Sequence, residues 1–232
     1  MTQSHSDSPG LSPAEQGLSP AGPAQSPAGR VLSPEVMADD PMRQFASWLA
    51  DAVGQPRSAL PEPTAMVLAT VSDQGRPRAR TVLLKAHGPE GFTFYTNRTS
   101  RKGQDLAANT SACVVFPWYP LGRQVTVEGT VAMLSQQDSE PYFRSRPHGS
   151  QLSAWASRQS TVLTSRAQLD DRAAELDRRW PEGTQVPMPD FWGGYLLTPL
   201  TVEFWQSGQY RLHDRLRYRR NAVGWEIERL SP

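Results

Sequence analysis

The sequence is poor in the features that announce most chemistries. Its one cysteine, Cys113, excludes an intramolecular disulfide. That residue lies in the apolar run Ala112-Cys113-Val114-Val115-Phe116, where a small core side chain is a simpler reading than a catalytic thiol. The histidines His5, His87, His148 and His213 show no HExxH or Cys/His ligand spacing, so no metal site is expected. No GxSxG elbow marks a nucleophilic serine. No Gly-rich strand-to-helix turn is present, which rejects a Rossmann dinucleotide domain. Charge of one sign is also missing: 24 Lys and Arg face 23 Asp and Glu, a net charge of +1. The chain therefore has no general attraction to nucleic acid or to a membrane surface, and any important positive charge must be local. No stretch is long and apolar enough to span a bilayer. The N-terminus lacks the basic start and apolar centre of a secretory signal. A cytoplasmic protein with neither nucleic-acid nor membrane partners is the expectation.

What is present divides into two parts. In residues 1–38, Ser-Pro recurs at Ser12-Pro13, Ser19-Pro20, Ser26-Pro27 and Ser33-Pro34. Proline in each repeat blocks helix propagation, and too few large apolar residues are available to offset ordering entropy. This predicts a disordered Ser/Pro-rich tail. Residues 39–232 form the expected folded domain. Phe45, Trp48, Leu49 and Ala52 recur at helical spacing, which predicts a helix over 41–53. Strand-like segments follow at 66–72, 78–86, 92–96, 112–118 and 124–134, with Asp73-Gln74-Gly75 as a hairpin turn. Helical stretches are expected at 100–109, 136–145 and 165–179, and late strands at 194–206, 210–219 and 225–229. Short, closely spaced strands with few helices predict a mainly β protein, a small barrel with helical decoration.

Local clusters of cations are the main chemical signal. Ser100-Arg101-Lys102-Gly103 places two cations in the first turn of a helix that Ser100 would cap, where the macrodipole disfavours them unless an anion binds. Taken alone, a solvated surface pair is the better reading of these residues. In Arg80-Thr81-Val82-Leu83-Leu84-Lys85 a strand would put Arg80, Val82 and Leu84 on one face and Thr81, Leu83 and Lys85 on the other. Cations at the ends of so apolar a strand call for anionic partners, or else snorkel from a sheet edge. If Arg211-Leu212-His213-Asp214-Arg215 is a strand, Arg211, His213 and Arg215 share a face. Such a row suits an anion between the cations, or an exposed basic strand. Residues 142–160, broken by Pro147 and Gly149, read as a polar loop able to wrap a polyanion. Two anion sites with aromatic walls suit a phosphorylated cofactor beside a phosphorylated substrate.

The segments PTAMVLATV from Pro63, RTVLLK from Arg80, GFTFYTN from Gly91, SRKG from Ser100, FPWY from Phe116, RQVTVEG from Arg123, SRPHGSQ from Ser145, FWGG from Phe191, EFWQSG from Glu203 and RLHDRLRY from Arg211 occur in order. In these, and in its ending Glu228-Arg229-Leu230-Ser231-Pro232, the chain resembles the pyridoxamine 5'-phosphate oxidase family. The resemblance covers residues 41–232. It implies an FMN-binding split β-barrel that works as a homodimer, with FMN at the subunit interface. It implies that Arg80, Arg101, Lys102 and Ser160 hold the FMN phosphate and ribityl end. Val82, Leu83, Tyr95, Thr96, Gln124, Gln159, Trp205 and Arg215 would frame the rest of the flavin, and Thr81, Leu84 and Lys85 complete the cofactor set. Lys85, Tyr142, Arg146 and Ser150 would hold the substrate phosphate. Arg211 and His213, the implied catalytic pair, would lie over the pyridine ring, with Leu212 between them in the substrate set.

The implied reaction belongs to vitamin B6 cofactor biosynthesis and salvage. Pyridoxamine or pyridoxine 5'-phosphate is oxidised to pyridoxal 5'-phosphate by hydride transfer to FMN; the imine formed from the amine is hydrolysed by water to the aldehyde and ammonia, and O2 re-oxidises the flavin to give H2O2. The chain departs from the family pattern in its tail. Around residues 24–27 it lacks the Arg-x-x-Tyr element that closes over the substrate, and Glu62 stands where Asp is common. A phenazine-biosynthesis oxidase of the same fold, and a flavin- or haem-binding split-barrel protein without oxidase activity, are the rival readings. The intact SRPHGSQ and RTVLLK motifs favour a phosphorylated substrate over the first, and the second would not need Lys85, Tyr142, Arg146 and Ser150 together.

Overall fold

In the computed structural model, which describes residues 31–232, the folded elements are α1 (Pro41–Val53), β1 (Ala65–Val71), β2 (Pro77–Leu83), β3 (Ala86–Gly88), β4 (Gly91–Asn97), α2 (Arg101–Ala108), β5 (Ser111–Trp118), β6 (Arg123–Met133), α3 (Gln136–Ser145), α4 (His148–Ala156), α5 (Ala167–Arg179), β7 (Trp192–Gln206), β8 (Asp214–Asn221) and β9 (Gly224–Arg229). The strands form one antiparallel sheet in the order β2-β1-β5-β6-β7-β4-β3, with β8 on β7 and β9 on β8. Among the described residues, no helix is long and apolar enough to cross a membrane, and no group of His, Cys, Asp and Glu could hold a metal ion.

Strand β7 sets the shape of the sheet. It pairs with β6 along its length, but its other edge is shared. Residues 192–197 pair with β4 and residues 201–206 pair with β8. The partners change around Pro199, which has no N–H to donate. The register on β6 shifts between Glu128 and Gly129 at the same level. A Cβ on Gly129 would lie 2.1 Å from the Thr198 carbonyl oxygen, so only glycine permits this close passage. The sheet thus splits into two wings from one strand.

Helix α1 fills the space between the wings. Asp40 caps it by accepting from the Met42 and Arg43 N–H groups at 2.7 and 3.0 Å, and Pro41 supplies a preset φ at the first position. Its buried face carries Phe45 and Trp48. The Phe45 ring meets Phe92 of β4 at 4.8 Å and Phe116 of β5 at 4.9 Å, while Trp48 meets Phe204 of β7 edge-on at 5.1 Å. A second core of Phe143, Leu152, Ala154, Val186 and Trp192 lies under α3 and α4.

Three expectations need correction. Residues 148–156, expected within a loop, form α4. Pro147 stands at its N-cap and so starts the helix rather than breaking it, and Gly149 in the first turn has open space around it. The strand expected from Tyr210 begins only at Asp214. Residues 209–211 form a 3-10 turn in which Tyr210 and Arg211 take left-handed φ values of 53° and 64°. Arg211, His213 and Arg215 therefore do not alternate along one strand.

The third correction concerns the tail. Residues 1–30 lie outside the described residues. Residues 31–38, expected to be disordered, pack as a strap across the end of the β8–β9 hairpin. Leu32 and Met37 are buried. The Leu32 N–H donates to Asp214 Oδ2 at 3.0 Å, and the Leu32 carbonyl accepts from Arg229 Nη2. Arg229 Nη1 also pairs with Asp214 at 2.6 Å, and the Tyr218 hydroxyl donates to the Ala38 carbonyl at 2.7 Å. A chain that starts at Asp39 should be less stable than one that starts at Val31, by roughly 2–4 kcal/mol for two lost apolar side chains. That is a melting temperature lower by roughly 5–15 °C. Equal melting temperatures would show that the strap adds nothing.

Candidate active site

A cavity of about 600 Å³ opens between β2, β4, α2 and the α3–α4 junction. From β2 and the residues after it come Arg80, Thr81, Val82, Leu83 and Lys85. Tyr95 and Thr96 come from β4, Lys102 from α2, Tyr142 from α3, and Arg146, Pro147 and Ser150 from the junction and the start of α4. Gln159 and Trp192 complete the wall. A shallower hollow lined by residues of α5 is a solvated helix face of mixed charge with no convergent donors.

One cationic cluster lies where β2 meets α2. As expected, Ser100 caps α2, its hydroxyl accepting from the Gly103 N–H. Lys102 is not a solvated residue, because its ammonium donates to Gln159 Oε1 at 2.9 Å, Thr96 Oγ1 at 3.1 Å and Ser100 Oγ at 3.3 Å. These acceptors are neutral and none carries a compensating charge. Burial first, and then the neighbouring Arg80 charge, hold Lys102 below the usual lysine range. Arg80 donates through Nη1 to Thr70 Oγ1 at 2.7 Å and the Leu68 carbonyl at 3.1 Å. Burial lowers its pKa, and the nearby Asp105 carboxylate opposes that shift.

The second cluster centres on Arg146. Its guanidinium lies 4.9 Å from the centre of the Trp192 ring and 5.6 Å from that of Phe143. Burial pulls its pKa down. Its Nη1 is buried without a hydrogen-bond partner, a costly arrangement for a charged donor unless an acceptor is supplied. Tyr142 stacks on Tyr95 at 4.1 Å, and Tyr95 stacks on Trp192 at 5.4 Å. Helix α4 begins here at Pro147 with no side-chain cap. The positive end of its dipole and its free N–H groups add to the attraction for an anion. The cavity therefore offers two places for negatively charged oxygens beside an aromatic wall.

Not every expected residue is in this cavity. Leu84 is buried in the core. Arg101 is exposed, and its backbone N–H donates to the hydroxyl of Ser160, a residue with φ of 69°. Gln124, Trp205, Arg215, Arg211, Leu212 and His213 form a separate group on β6, β7, β8 and the turn that precedes β8. Gln124 faces Trp205, and Trp205 faces Arg215, in one cross-strand row. The His213 ring lies 4.6 Å from Trp205, and His213 Nδ1 accepts from the Gly208 N–H at 3.2 Å. Arg215 is held by Glu203 through two bonds of 2.8 and 3.0 Å and by the Ser231 carbonyl at 3.0 Å. Arg211 and Leu212 are exposed. The expected site residues thus fall into two separate groups on one chain.

Residues 54–179 match the family model described as pyridoxamine 5'-phosphate oxidase, and residues 192–232 match the pyridoxine 5'-phosphate oxidase C-terminal dimerisation region. The chain belongs to the pyridoxamine 5'-phosphate oxidase family. It is 57% identical to a pyridoxine/pyridoxamine 5'-phosphate oxidase of Frankia casuarinae, over 82% of this chain and 71% of that protein. It is 56% identical to the enzyme of the same name from Frankia alni, over 86% and 83%. Among solved structures, PhzG from Burkholderia lata, determined with tetrahydrophenazine-1-carboxylic acid, is 32% identical and superposes with a TM-score of 0.79 over 87% of this chain and 98% of that one. A pyridoxamine 5'-phosphate oxidase-related, FMN-binding protein of Nostoc punctiforme shares the fold at a TM-score of 0.65, covering 81% of this chain and 97% of that one at 18% identity. The split barrel expected from the family resemblance is the observed fold, and every member of the second group except Gln124 lies in the part of the chain that matches the family's dimerisation region.

Trp192, which lines the cavity, and Asp105, which lies behind Arg80, were not assigned to a site by sequence reasoning, and Pro147 was read only as a loop breaker. Trp192 lay within a quoted motif. Asp105 had no signal, because one acid in a short helix resembles any surface residue until its burial is known.

Lys102 also yields a pH prediction. Its folded pKa is lowered, so in alkaline buffer the free protein carries it partly neutral, whereas a bound phosphate dianion favours the charged form. Binding of a phosphate monoester such as FMN in alkaline buffer, between the lowered pKa of the free protein and the higher one of the complex, should therefore take up protons, with the uptake vanishing at lower pH where Lys102 is charged in both states. Calorimetry in buffers of different ionisation enthalpy measures this uptake, and Lys102→Met should abolish it. Uptake that persists in the variant would assign the proton to another group.

Proposed function

We propose that this protein oxidises pyridoxamine 5'-phosphate and pyridoxine 5'-phosphate to pyridoxal 5'-phosphate, as a homodimer with FMN bound at the subunit interface. The observation that carries the reading is the pairing of two desolvated cationic clusters with a stacked aromatic wall in one cavity. Membership of the family supports it. The residues present fit FMN: Arg80 and Lys102 lack a full complement of anions, and Thr96, Gln159 and the Ser160 hydroxyl add hydrogen-bonding groups around them. FMN supplies the hydride acceptor, and O2 takes the electrons onward to give H2O2.

The chain's own residues bind and orient. Lys85, Tyr142, Arg146 and Ser150 hold the substrate phosphate, with the orphaned Arg146 Nη1 receiving an oxygen. This remote grip positions the carbon that loses hydride. The half-site on β6, β7 and β8 reaches the cavity across the homodimer interface. Gln124, Trp205 and Arg215 then frame the flavin from the second subunit, while Arg211 and His213 cover the substrate ring. His213 accepts a hydrogen bond at Nδ1 and so presents Nε2 as a donor. It orients the substrate and need not remove a proton.

The likeness to PhzG favours a second reading, an oxidase of phenazine precursors. The convergence of Lys85, Tyr142, Arg146 and Ser150 ranks the phosphorylated substrate above it.

Purified protein should be yellow, with about one FMN per subunit, and should consume O2 with the phosphorylated vitamers but not with their dephosphorylated forms. Protein that cannot be loaded with FMN, or equal activity on both forms, would refute the assignment. Arg146→Ala should raise KM for the phosphorylated substrates by roughly 10–100-fold and leave FMN affinity near that of the wild type. Arg211→Leu should lower turnover far more than it lowers FMN affinity. A matching loss of FMN affinity in either variant would remove that residue from the substrate side.

A further inference from the structure

Asp105 is the unexplained acid of this site. It is 3% exposed, on α2, one turn beyond Lys102. Its Oδ1 accepts from Arg78 Nη1 at 2.6 Å, and its Oδ2 accepts from the buried Thr70 hydroxyl at 2.7 Å. Arg80 Nη2 lies 3.6 Å from the same Oδ2. The Thr70 oxygen meanwhile accepts from Arg80 Nη1 at 2.7 Å. The bonds run in one direction, from Arg80 to Thr70 to Asp105. Arg78 and Arg80 stand two residues apart and so share one face of β2, which brings both to the same carboxylate.

We propose that Asp105 is a positioning residue for anion recognition: through Thr70 it holds the Arg80 guanidinium at the cavity wall, where it meets the FMN phosphate. This rests on the reading of the cavity as an FMN site. A long arginine side chain on an edge strand would otherwise sample many rotamers, and holding it by one edge removes that freedom before the ligand arrives. The charge balance agrees. Arg78, Arg80 and Lys102 carry three positive charges and Asp105 one negative, leaving a surplus of two, which matches a phosphate dianion of about −2. With no acid, three cations would repel one another in a half-buried space. A second acid would halve that surplus and weaken the attraction.

Two other roles are open to a buried carboxylate here. It could staple α2 to β1 without affecting the ligand, or it could compete with the phosphate for Arg80. Dissociation constants of FMN and of riboflavin, read from quenching of flavin fluorescence on the apoprotein, distinguish them, because riboflavin lacks the phosphate. The wild type should prefer FMN, and absence of that preference would refute the FMN reading itself. Asp105→Asn and Thr70→Val should each reduce the FMN-to-riboflavin preference by about tenfold, with riboflavin affinity within about twofold of the wild type and the preference of the double variant no worse than that of the weaker single variant. An unchanged preference in both variants, or equal losses for both ligands, would make Asp105 a staple and overturn the proposal. Tighter FMN binding in Asp105→Asn would make it a competitor, with the same result. Thr70→Val keeps shape and the Asp105–Arg78 pair, so the test stands even if Asp105→Asn fails to fold.

Discussion

Positive charge that is partly removed from water, with fewer carboxylates than cations around it, is the constraint on which the site depends. Arg80, Lys102 and Arg146 all have pKa values lowered chiefly by burial. Such groups are tolerated only when hydrogen bonds hold them in place and an anion completes them. The neutral acceptors around Lys102, the Thr70 relay beneath Arg80 and the aromatic rings beside Arg146 each meet the first condition. They leave the second to the ligand. Positive charge can therefore be concentrated in one cavity of a chain with almost no net charge.

The fold supplies rigid elements for this arrangement. Arg80 comes from an edge strand, Lys102 from the first turn of a short helix and Arg146 from the junction of two others. These are brought together because β7 divides the sheet into two wings and α1 fills the space between them. Gly129 permits the division by letting the β7 backbone pass close to β6. The same strand carries Trp192 at its start, in the cavity, and Trp205 near its end, in the separate group with His213 and Arg215.

The second group of residues, around His213 and Arg215, is built to a different standard. Arg215 is tightly held by Glu203 and the Ser231 carbonyl, and the strap of residues 31–38 braces Asp214 through Leu32 and Arg229. Tyr210 and Arg211, by contrast, sit exposed in left-handed conformations, an arrangement that disfavours side chains by about 1 kcal/mol or more each. The loop therefore has a braced root and an exposed, strained tip.

Much of this was legible in the residues. The helix over 41–53 follows from apolar spacing and the Asp40-Pro41 start. Most strands follow from alternation and turn signals, and the family follows from ordered motifs, because these are local patterns carried by neighbouring residues. Other features depended on contacts between residues far apart in the chain. Pro147 could end a helix or begin one, and packing of Leu152 and Ala154 under the second core decided for a new helix. The Arg211 segment alternates like a strand, yet Gly208 packed against the Leu212 carbonyl and bonded to His213 turns it into a tight loop. Asp105 gains its meaning only by facing Thr70 and two arginines across the sheet. The sequence by itself determined the family, the main elements and the inventory of cations. Tertiary structure decided which cations lie together, which acid lies among them and that the remaining candidate residues form a separate group, because burial and distance, which govern charge, are not written in any local pattern.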